Sequence, residues 1–293
     1  MVPDWCPWFT TGQWDHFRAL VEAVLRLHGY DRPRVELSGV AVVAGADGQQ
    51  RHFGLAGLAG MAQETPEADW PVLIDAHFAG IATAEAEAAE LDGAGLDVVR
   101  PLLRARVHRA GDMPAGAEPV YRPLGADLIE VLYLDLPSVV RTVGPDRVTR
   151  WDADVDALFW LGRENLRGEE TDATVIEAAP GVPVHVDTGV SFFVASRLLL
   201  LDTGPHGALA VVPNRHMLAY HPIRDLSAVR AVTGLAQFAL SQYGSAGSLS
   251  PSLYWWRAGQ ATQIPAEITD DKITITPPEA FVDVLNTLPA PPE

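Results

Sequence analysis

The spacing of apolar residues changes several times along this chain of 293 residues. Over residues 14–27, apolar side chains recur every three or four positions, which is typical of an amphipathic helix. The next segment has two valine-rich runs on either side of Asp47-Gly48, a strong signal for a β-hairpin. Helical spacing then returns over 55–64 and 69–91. This succession predicts an α+β fold in which antiparallel hairpins carry helices packed on one face.

The second half of the chain continues this alternation. Residues 128–136 form an apolar run that predicts a buried strand, and Pro137 ends it because proline cannot donate to a sheet. A helix is predicted over 152–168, and apolar runs on both sides of a turn at 202–207 predict a second hairpin. Helical spacing returns over 225–244. The predicted architecture is therefore a set of repeated strand–strand–helix units, which are alike in pattern and not in sequence.

Length and turn-forming residues together predict two domains. At about 100–200 residues per domain, a chain of 293 residues suits one large domain or two modest ones. Proline and glycine are concentrated in residues 112–119, which is typical of a linker. We therefore expect an N-terminal α+β domain at 1–111, a Pro/Gly linker at 112–119 and a C-terminal α+β domain at 120–293.

The chain is strongly acidic. It contains 21 lysine and arginine residues against 38 aspartate and glutamate residues, which gives a formal net charge of −17 at pH 7. This charge repels a phosphate backbone and argues against nucleic acid as the partner. One locally basic segment contains Arg100, Arg104, Arg106 and Arg109. Nucleic-acid binding by that segment stays open as a third hypothesis, which requires a contiguous basic face.

The cysteine content and the length of the apolar stretches predict the compartment. Cys6 is the only cysteine, which excludes an intramolecular disulfide and an all-cysteine metal site, and fits a reducing compartment. The N-terminus lacks the basic and apolar regions of a signal peptide. The most apolar stretch, 191–201, contains Arg197 and falls short of the roughly 20 residues that cross a bilayer. We therefore predict a soluble cytoplasmic protein that does not engage a membrane.

Searches for catalytic and cofactor motifs find no match. His206, His216 and His221 are close in sequence, but their spacing of ten and then five residues fits no zinc motif, so no metal is predicted. Ser191 lacks the second glycine of the G-x-S-x-G nucleophile motif. The G-x-x-G-x-x-G segment at 54–60 has the wrong first spacing for a dinucleotide fingerprint. No cofactor is predicted, and no catalytic residue is assigned.

Three polar residues interrupt otherwise apolar segments. Asp135 ends the predicted strand, Asn165 lies between leucines on an amphipathic helix, and Arg215 follows an apolar run and precedes His216. One interpretation is that each is a buried polar group bound by neighbouring backbone, with a purely structural role. The other is that they line one ligand-binding cleft, in which Arg215 binds a carboxylate or a phosphate.

The same three places carry a family resemblance. The segments PLGADLIEVLYLDLPSVVRTV, DALFWLGRENLR and ALAVVPNRHMLAY resemble the YtpQ-like bacterial proteins of unknown function. The positions that match the family pattern are Asp135, Asn165-Leu166 and Pro213-Asn214-Arg215. Asn214 stands where the family commonly has serine, and His216 stands where it commonly has aspartate, which weakens the idea of a shared Arg–Asp pair. Because the family has no accepted reaction, the resemblance supports the predicted fold and does not predict an activity.

Tyr254, Trp255 and Trp256 form an aromatic group near the C-terminus. Aromatic residues are enriched at the centres of protein interfaces, so one interpretation is that these three bind a protein partner. The other interpretation is that they fill the core. Exposure of Trp255 and Trp256 distinguishes the two.

The leading functional prediction is a noncatalytic binding or accessory protein that recognises another protein or a small ligand. It depends on the failed motif searches and on the aromatic group. The alternative is an enzyme of unrecognised type with a polar cleft around Asp135, Asn165 and Arg215, with His216 beside them. That alternative requires these side chains to converge within hydrogen-bonding reach of one substrate site.

Overall fold

The computed structural model describes residues 2–3, 5–44, 50–113, 118–137, 139–244, 247–269 and 272–291. It divides into two compact units, of which the first comprises Met1–Gly93 with Leu136–Val139 and the second Ala94–Asp135 with Val140–Glu293. This division differs from the predicted linker at 112–119, of which residues 114–117 lie outside the described residues. The reason is strand pairing, because Leu103–Arg109 pairs with Leu128–Asp135 and so joins both sides of that segment in one sheet.

The first unit contains a three-stranded antiparallel sheet in the order β1–β2–β3. Its helices and strands are α1 (Thr11–Leu27), β1 (Asp31–Val35), β2 (Val40–Ala44), β3 (Gln50–Gly54), α2 (Ala56–Glu64) and α3 (Trp70–Glu90). The helix α1 begins after Thr10, whose hydroxyl accepts the backbone N–H of Gln13 while the Gln13 side chain accepts the backbone N–H of Thr10. β2 pairs with β3, and the predicted Asp47-Gly48 turn between them lies outside the described residues.

Aromatic side chains fill the core of the first unit. Trp14, Phe17, Trp70 and Phe78 are all buried there. The rings of Phe17 and Trp70 meet edge to face with their centroids 6.0 Å apart, a geometry that aromatic pairs favour. Cys6 is buried in the same cluster, and burial raises the pKa of its thiol, which keeps the cysteine in its unreactive form.

The second unit contains two larger antiparallel sheets and a two-stranded one. Its helices and strands are α4 (Leu96–Val99), β4 (Leu103–Arg109), β5 (Tyr121–Gly125), β6 (Leu128–Asp135), β7 (Val140–Thr142), α5 (Pro145–Trp151), α6 (Val155–Leu166), β8 (Asp172–Ala179), β9 (Val182–Thr188), β10 (Ala208–Val211), β11 (Met217–Pro222), α7 (Ser227–Gln242), β12 (Leu253–Arg257), β13 (Gln260–Ile264), β14 (Ala266–Thr269), β15 (Lys272–Ile275) and α8 (Glu279–Thr287). Helices and antiparallel sheets therefore coexist in the chain, as the predicted α+β class requires.

The four-stranded sheet has the order β4–β6–β5, and β7 also pairs with β6. The predicted buried strand at 128–136 is confirmed as β6, which is buried up to Leu134. The helix α6 packs against β4 at Gly162, where a Cβ atom would lie 2.8 Å from the backbone nitrogen of Ala105. A second attachment is ionic, because Glu130 on β6 accepts two hydrogen bonds from Arg163 on α6 at 2.6 and 2.5 Å.

The six-stranded sheet has the order β13–β12–β10–β11–β9–β8, and every neighbouring pair is antiparallel. The helix α7 packs on this sheet through buried residues that include Ala231, Leu235 and Ala239. Hydrophobic spacing predicts a helix over 225–244, and the structure confirms it as α7 at Ser227–Gln242.

The aromatic group Tyr254, Trp255 and Trp256 lies in β12, and all three residues are buried. The Trp255 ring nitrogen donates to the His206 carbonyl oxygen at 2.8 Å, and the Tyr254 hydroxyl donates to Asp127 Oδ1 at 2.6 Å. This burial corrects the prediction of an exposed interface at these residues. They fill the core, where each large side chain contributes roughly 2–3 kcal/mol of apolar burial.

The predicted hairpin around 202–207 is also corrected. The run before the turn forms a 3₁₀ helix at Val194–Leu200, and the strand after the turn, β10, pairs with β11 and β12. A continuous apolar run has no period that separates a buried strand from a buried helical segment, which explains the difference. In the described part of the chain, no helix combines the length and apolar character that crossing a membrane requires.

Candidate functional site

The strand β4 carries a row of basic side chains on one face. Strand side chains alternate between faces, so Arg104, Arg106 and His108 point the same way, and all three are partly exposed between the buried residues of the strand. Val131 and Tyr133 of β6 lie opposite Arg106 and Arg104 on that same face. The sheet therefore places two arginines and a histidine around the ring of Tyr133.

Arg215 is held in position by backbone contacts on both sides. Its N–H donates to the Gly247 carbonyl oxygen at 2.9 Å, and its carbonyl oxygen accepts the Ala195 N–H at 3.2 Å. Gly247 has a φ of +81°, and a Cβ atom there would lie 2.7 Å from Arg215 Nε. Only glycine allows that loop to pass so close to the arginine side chain.

The 3₁₀ helix Val194–Leu200 brings Arg215 next to β4. Ala195 binds the backbone of Arg215, and the adjacent Ser196 accepts the backbone N–H of Val107 at 3.0 Å through its buried hydroxyl. Two consecutive residues thus connect the segment that carries Arg215 to the strand that carries Arg106. Consistent with this closeness, the charge of Arg215 contributes to lowering the pKa of Arg106.

Among the residues that the structure describes, Arg106 and Arg215 are desolvated cations without an anionic partner. Burial is the largest cause that lowers the pKa of each guanidinium, and no carboxylate of the described residues contributes to either. The Nε atom of Arg106 is buried, and no atom of the described residues accepts a hydrogen bond from it. Burying an unpaired charge is costly, and buried donors are normally bound, so this arrangement suits an anion supplied from outside the chain.

Aromatic rings lie beneath both guanidinium groups. Arg215 stacks on Phe192 with its Cζ atom 4.0 Å from the ring centroid, and Arg106 lies 5.3 Å from the centroid of Tyr133. The Tyr133 hydroxyl is 2.7 Å from Nε2 of His108, whose ring is stacked on that of the tyrosine. Burial and the neighbouring Arg106 lower the pKa of His108 to about 4, so His108 is neutral at pH 7 and adds no further charge.

His216 orients Arg215 as a neutral hydrogen-bond acceptor. Its Nδ1 lies 3.1 Å from the Ser191 carbonyl oxygen and therefore carries the proton, while its Nε2 accepts the Arg215 Nε–H at 3.0 Å. Burial, followed by the charge of Arg215, lowers the pKa of His216, which agrees with this neutral form. We call Arg106, Arg215, His216, Tyr133 and Phe192 the arginine site.

Asp135 belongs to an acidic network beside the arginine site. Its carboxylate lies 3.8 Å from Arg104, which also binds Glu169 at 2.7 Å, and the Ser191 hydroxyl donates to Glu169 at 2.5 Å. Burial is the main cause that raises the pKa of Asp135, with Glu169 adding to it and Arg104 opposing it. Ser191 connects the two groups, because its hydroxyl binds Glu169 and its carbonyl binds His216.

Asn165 is not brought to the arginine site by any contact of its side chain. Its amide donates to the carbonyl oxygens of Arg100 and Leu103, both at 2.9 Å, at the point where the chain enters β4. These bonds fasten the end of α6 to the start of β4. The structural interpretation of Asn165 therefore accounts for its position. Arg215 and His216 lie together, and Asp135 is connected to His216 through two ion pairs and two hydrogen bonds.

Sequence reasoning did not select Arg106, Tyr133 or Phe192 as site residues. Arg106 was noted only as part of a basic segment, in which Arg104 pairs with Glu169 and Arg109 pairs with Asp127 at 2.8 Å. The alternation of Arg104, Arg106 and His108 along a strand is the signal that places them on one face. Within the described residues, no group of three or more His, Cys, Asp or Glu side chains lies close enough to hold a metal ion.

No protein-family model, curated protein or solved structure matches this chain. The chemistry of the side chains therefore carries the functional conclusion.

Proposed function

We propose that this protein binds a small ligand through a carboxylate or phosphate group at the arginine site. The observation that carries the proposal is the pair of half-buried guanidinium groups, Arg106 and Arg215, which have no carboxylate partner among the described residues. The buried Nε–H of Arg106 adds a donor that finds no acceptor in the described part of the chain. A bound anion would supply both the missing charge and the missing acceptor.

Arginine suits this task for geometric reasons. Its planar guanidinium donates in parallel pairs to the two oxygens of a carboxylate or a phosphate. Phe192 and Tyr133 pack against these planes, and His216 accepts a hydrogen bond from Nε of Arg215. These contacts order the two arginine side chains in the free protein, so less conformational entropy is lost when a ligand binds. The remaining N–H groups of Arg215 stay free of any carboxylate of the described residues.

The arrangement of the side chains supports a small ligand better than a protein partner. The aromatic residues on which a protein interface was predicted are buried in β12. The enzyme alternative loses support as well, because both amide hydrogens of Asn165 are used by backbone carbonyls. We therefore propose a binding role for Arg215 and His216, and a supporting role for Asp135 through Arg104 and Glu169.

Membership of the YtpQ-like family and a cytoplasmic location also stay proposals. In support of the first, Asp135 ends β6, Asn165-Leu166 ends α6 and Pro213-Asn214-Arg215 follows β10, so the matching motifs stand at the ends of regular elements. In support of the second, the chain has one cysteine, which excludes an intramolecular disulfide.

Titration calorimetry with inorganic phosphate and with succinate tests the ligand proposal. We expect both anions to bind the unmodified protein, and the variants Arg106→Gln and Arg215→Gln to bind them at least about tenfold more weakly. Arg100→Gln is the matched control, because it removes one positive charge from an exposed position outside the arginine site. Glycerol serves as the uncharged ligand.

Two outcomes would contradict the proposal. The first is that neither phosphate nor succinate binds the folded, unmodified protein. The second is that the Arg100→Gln variant loses as much affinity as the two variants of the arginine site, which would indicate attraction by overall charge rather than by a built site.

A further inference from the structure

A second candidate site lies at the other end of β11 from His216. A cavity of 460 Å³ opens there in the second unit, and the residues that line it include His221, Ser227, His185, Arg224, Asp225 and Arg230. No motif in the sequence marks this group. Two of its members, His221 and Ser227, are polar side chains that are otherwise buried.

His221 and Ser227 have the geometry of a base and its nucleophile. Nδ1 of His221 lies 2.7 Å from the Pro183 carbonyl oxygen and must therefore carry the ring proton of the neutral imidazole. The lone pair on Nε2 then faces the Ser227 hydroxyl at 3.3 Å. A hydroxyl within reach of a histidine that is itself oriented by a third group is the arrangement that activates serine nucleophiles.

The charged groups around His221 fit this role. Burial is the main cause that lowers the pKa of His221, so the ring is unprotonated and able to accept a proton at pH 7. Asp225 raises that pKa, while His185 and Arg224 lower it together with burial. The carboxylate of Asp225 accepts the Ser227 N–H at 2.7 Å, and a hydrogen bond from the Ser227 side chain is the main cause that lowers the pKa of Asp225. Asp225 is therefore ionised and fixed beside the pair, where it stabilises the imidazolium that forms when His221 takes the Ser227 proton.

We propose that this cavity hydrolyses small acyl esters that carry a negative charge. The Ser227 oxygen attacks the ester carbonyl carbon while His221 takes the hydroxyl proton, and the C–O bond to the alcohol then breaks as His221 returns that proton to the leaving alkoxide. Water, activated by His221, next attacks the acyl-serine, releases the carboxylic acid and restores the Ser227 hydroxyl. No electrons are transferred to or from any other molecule.

Arg224 and Arg230 supply the preference for anionic substrates. Both line the cavity, and Arg230 uses one N–H to bind the Pro180 carbonyl oxygen at 2.9 Å, which keeps its remaining donors at the cavity wall. A positive wall favours a substrate with a carboxylate, and it also stabilises the negative charge that develops on the carbonyl oxygen. This inference does not depend on the arginine site.

A fluorophosphonate probe followed by peptide mass spectrometry tests the nucleophile in the unmodified protein. We expect one adduct on Ser227, and none when Ser227 is replaced by alanine. Ser241→Ala is the matched control, since Ser241 is an exposed serine on the same helix, α7. Absence of an adduct on Ser227 in the folded, unmodified protein would overturn the proposal without any variant being required.

Ester hydrolysis tests the substrate class. We expect 4-nitrophenyl succinate to be hydrolysed at a lower KM than 4-nitrophenyl acetate, and Ser227→Ala and His221→Gln to lower kcat by at least about 100-fold. Arg224→Gln should raise KM for the succinate ester by a clearly larger factor than KM for the acetate ester. Equal effects of Arg224→Gln on both esters would refute the assignment of Arg224 as the group that recognises the anion.

Discussion

Replacing Arg163 by methionine is expected to destabilise the second unit strongly. Arg163 on α6 donates two hydrogen bonds to Glu130 on β6, at 2.6 and 2.5 Å. The Glu130 side chain is 0% exposed, whereas 34% of the Arg163 side chain reaches the surface. Methionine keeps much of the apolar contact of the arginine stem, but it leaves a buried carboxylate without its counter-charge.

The size of the loss follows from the different exposure of the two partners. Removing one member of a buried ion pair typically costs about 3–5 kcal/mol, and the partial exposure of Arg163 places this pair near 3 kcal/mol. Glu130→Gln should cost only about 1–2 kcal/mol, because the partly exposed Arg163 keeps its charge in contact with water and can still donate one hydrogen bond to the glutamine Oε1. The double variant buries no charge, so its loss should fall about 2 kcal/mol short of the sum.

Hydrogen–deuterium exchange of the peptide that covers β6, measured against urea concentration, reports the opening of this sheet separately from the first unit. Arg167→Met is the matched control, because the Arg167–Glu164 ion pair lies at the surface, with 61% and 38% of the side chains exposed. Its loss should stay below about 0.5 kcal/mol. Equal losses for Arg163→Met and Arg167→Met, or strictly additive losses in the double variant, would refute this reasoning.

Three further predictions concern the arginine site and its support. Gly247→Ala should weaken phosphate binding about tenfold in calorimetry, because its Cβ would lie 2.7 Å from Arg215 Nε. Gly244 also has a positive φ, but no atom of the described residues beyond its chain neighbours lies within 4 Å of the added Cβ, so Gly244→Ala should bind phosphate normally. Folding lowers the pKa of His108 from 6.5 to about 4. As the pH falls, His108 therefore becomes protonated in the unfolded chain before it does in the folded protein. The free energy of unfolding should therefore drop by about 2 kcal/mol between pH 7 and pH 5 from this group, and His108→Gln should remove that part of the loss in urea titrations at both pH values. Asn165→Asp turns a carboxylate toward two carbonyl oxygens, so it should lower the free energy of unfolding by about 1–3 kcal/mol and leave phosphate affinity unchanged.

Elements whose signal is local were predictable from the sequence. The spacing of Trp14, Phe17 and Val21 and the capping residue Thr10 specify α1 without help from the rest of the chain, because one helix face repeats every 3.6 residues. The buried run of β6 and the helix α7 follow in the same way. The run at 191–201 did not, since an apolar stretch without a period suits a strand and the observed 3₁₀ helix equally.

The sequence determined which chemical groups this protein possesses, and the tertiary structure decided which of them meet. Arg215 was selectable from the sequence because a charged residue after an apolar run needs an explanation. Arg106, which lies near it, could not be selected in this way. A sequence does not show which basic residues form an ion pair with a carboxylate when the chain folds. Arg104 gains Glu169 and Arg109 gains Asp127, while Arg106 between them faces Arg215 through contacts of the 3₁₀ helix. Pairing and desolvation depend on distances between residues far apart in sequence, and only the packed chain sets those distances.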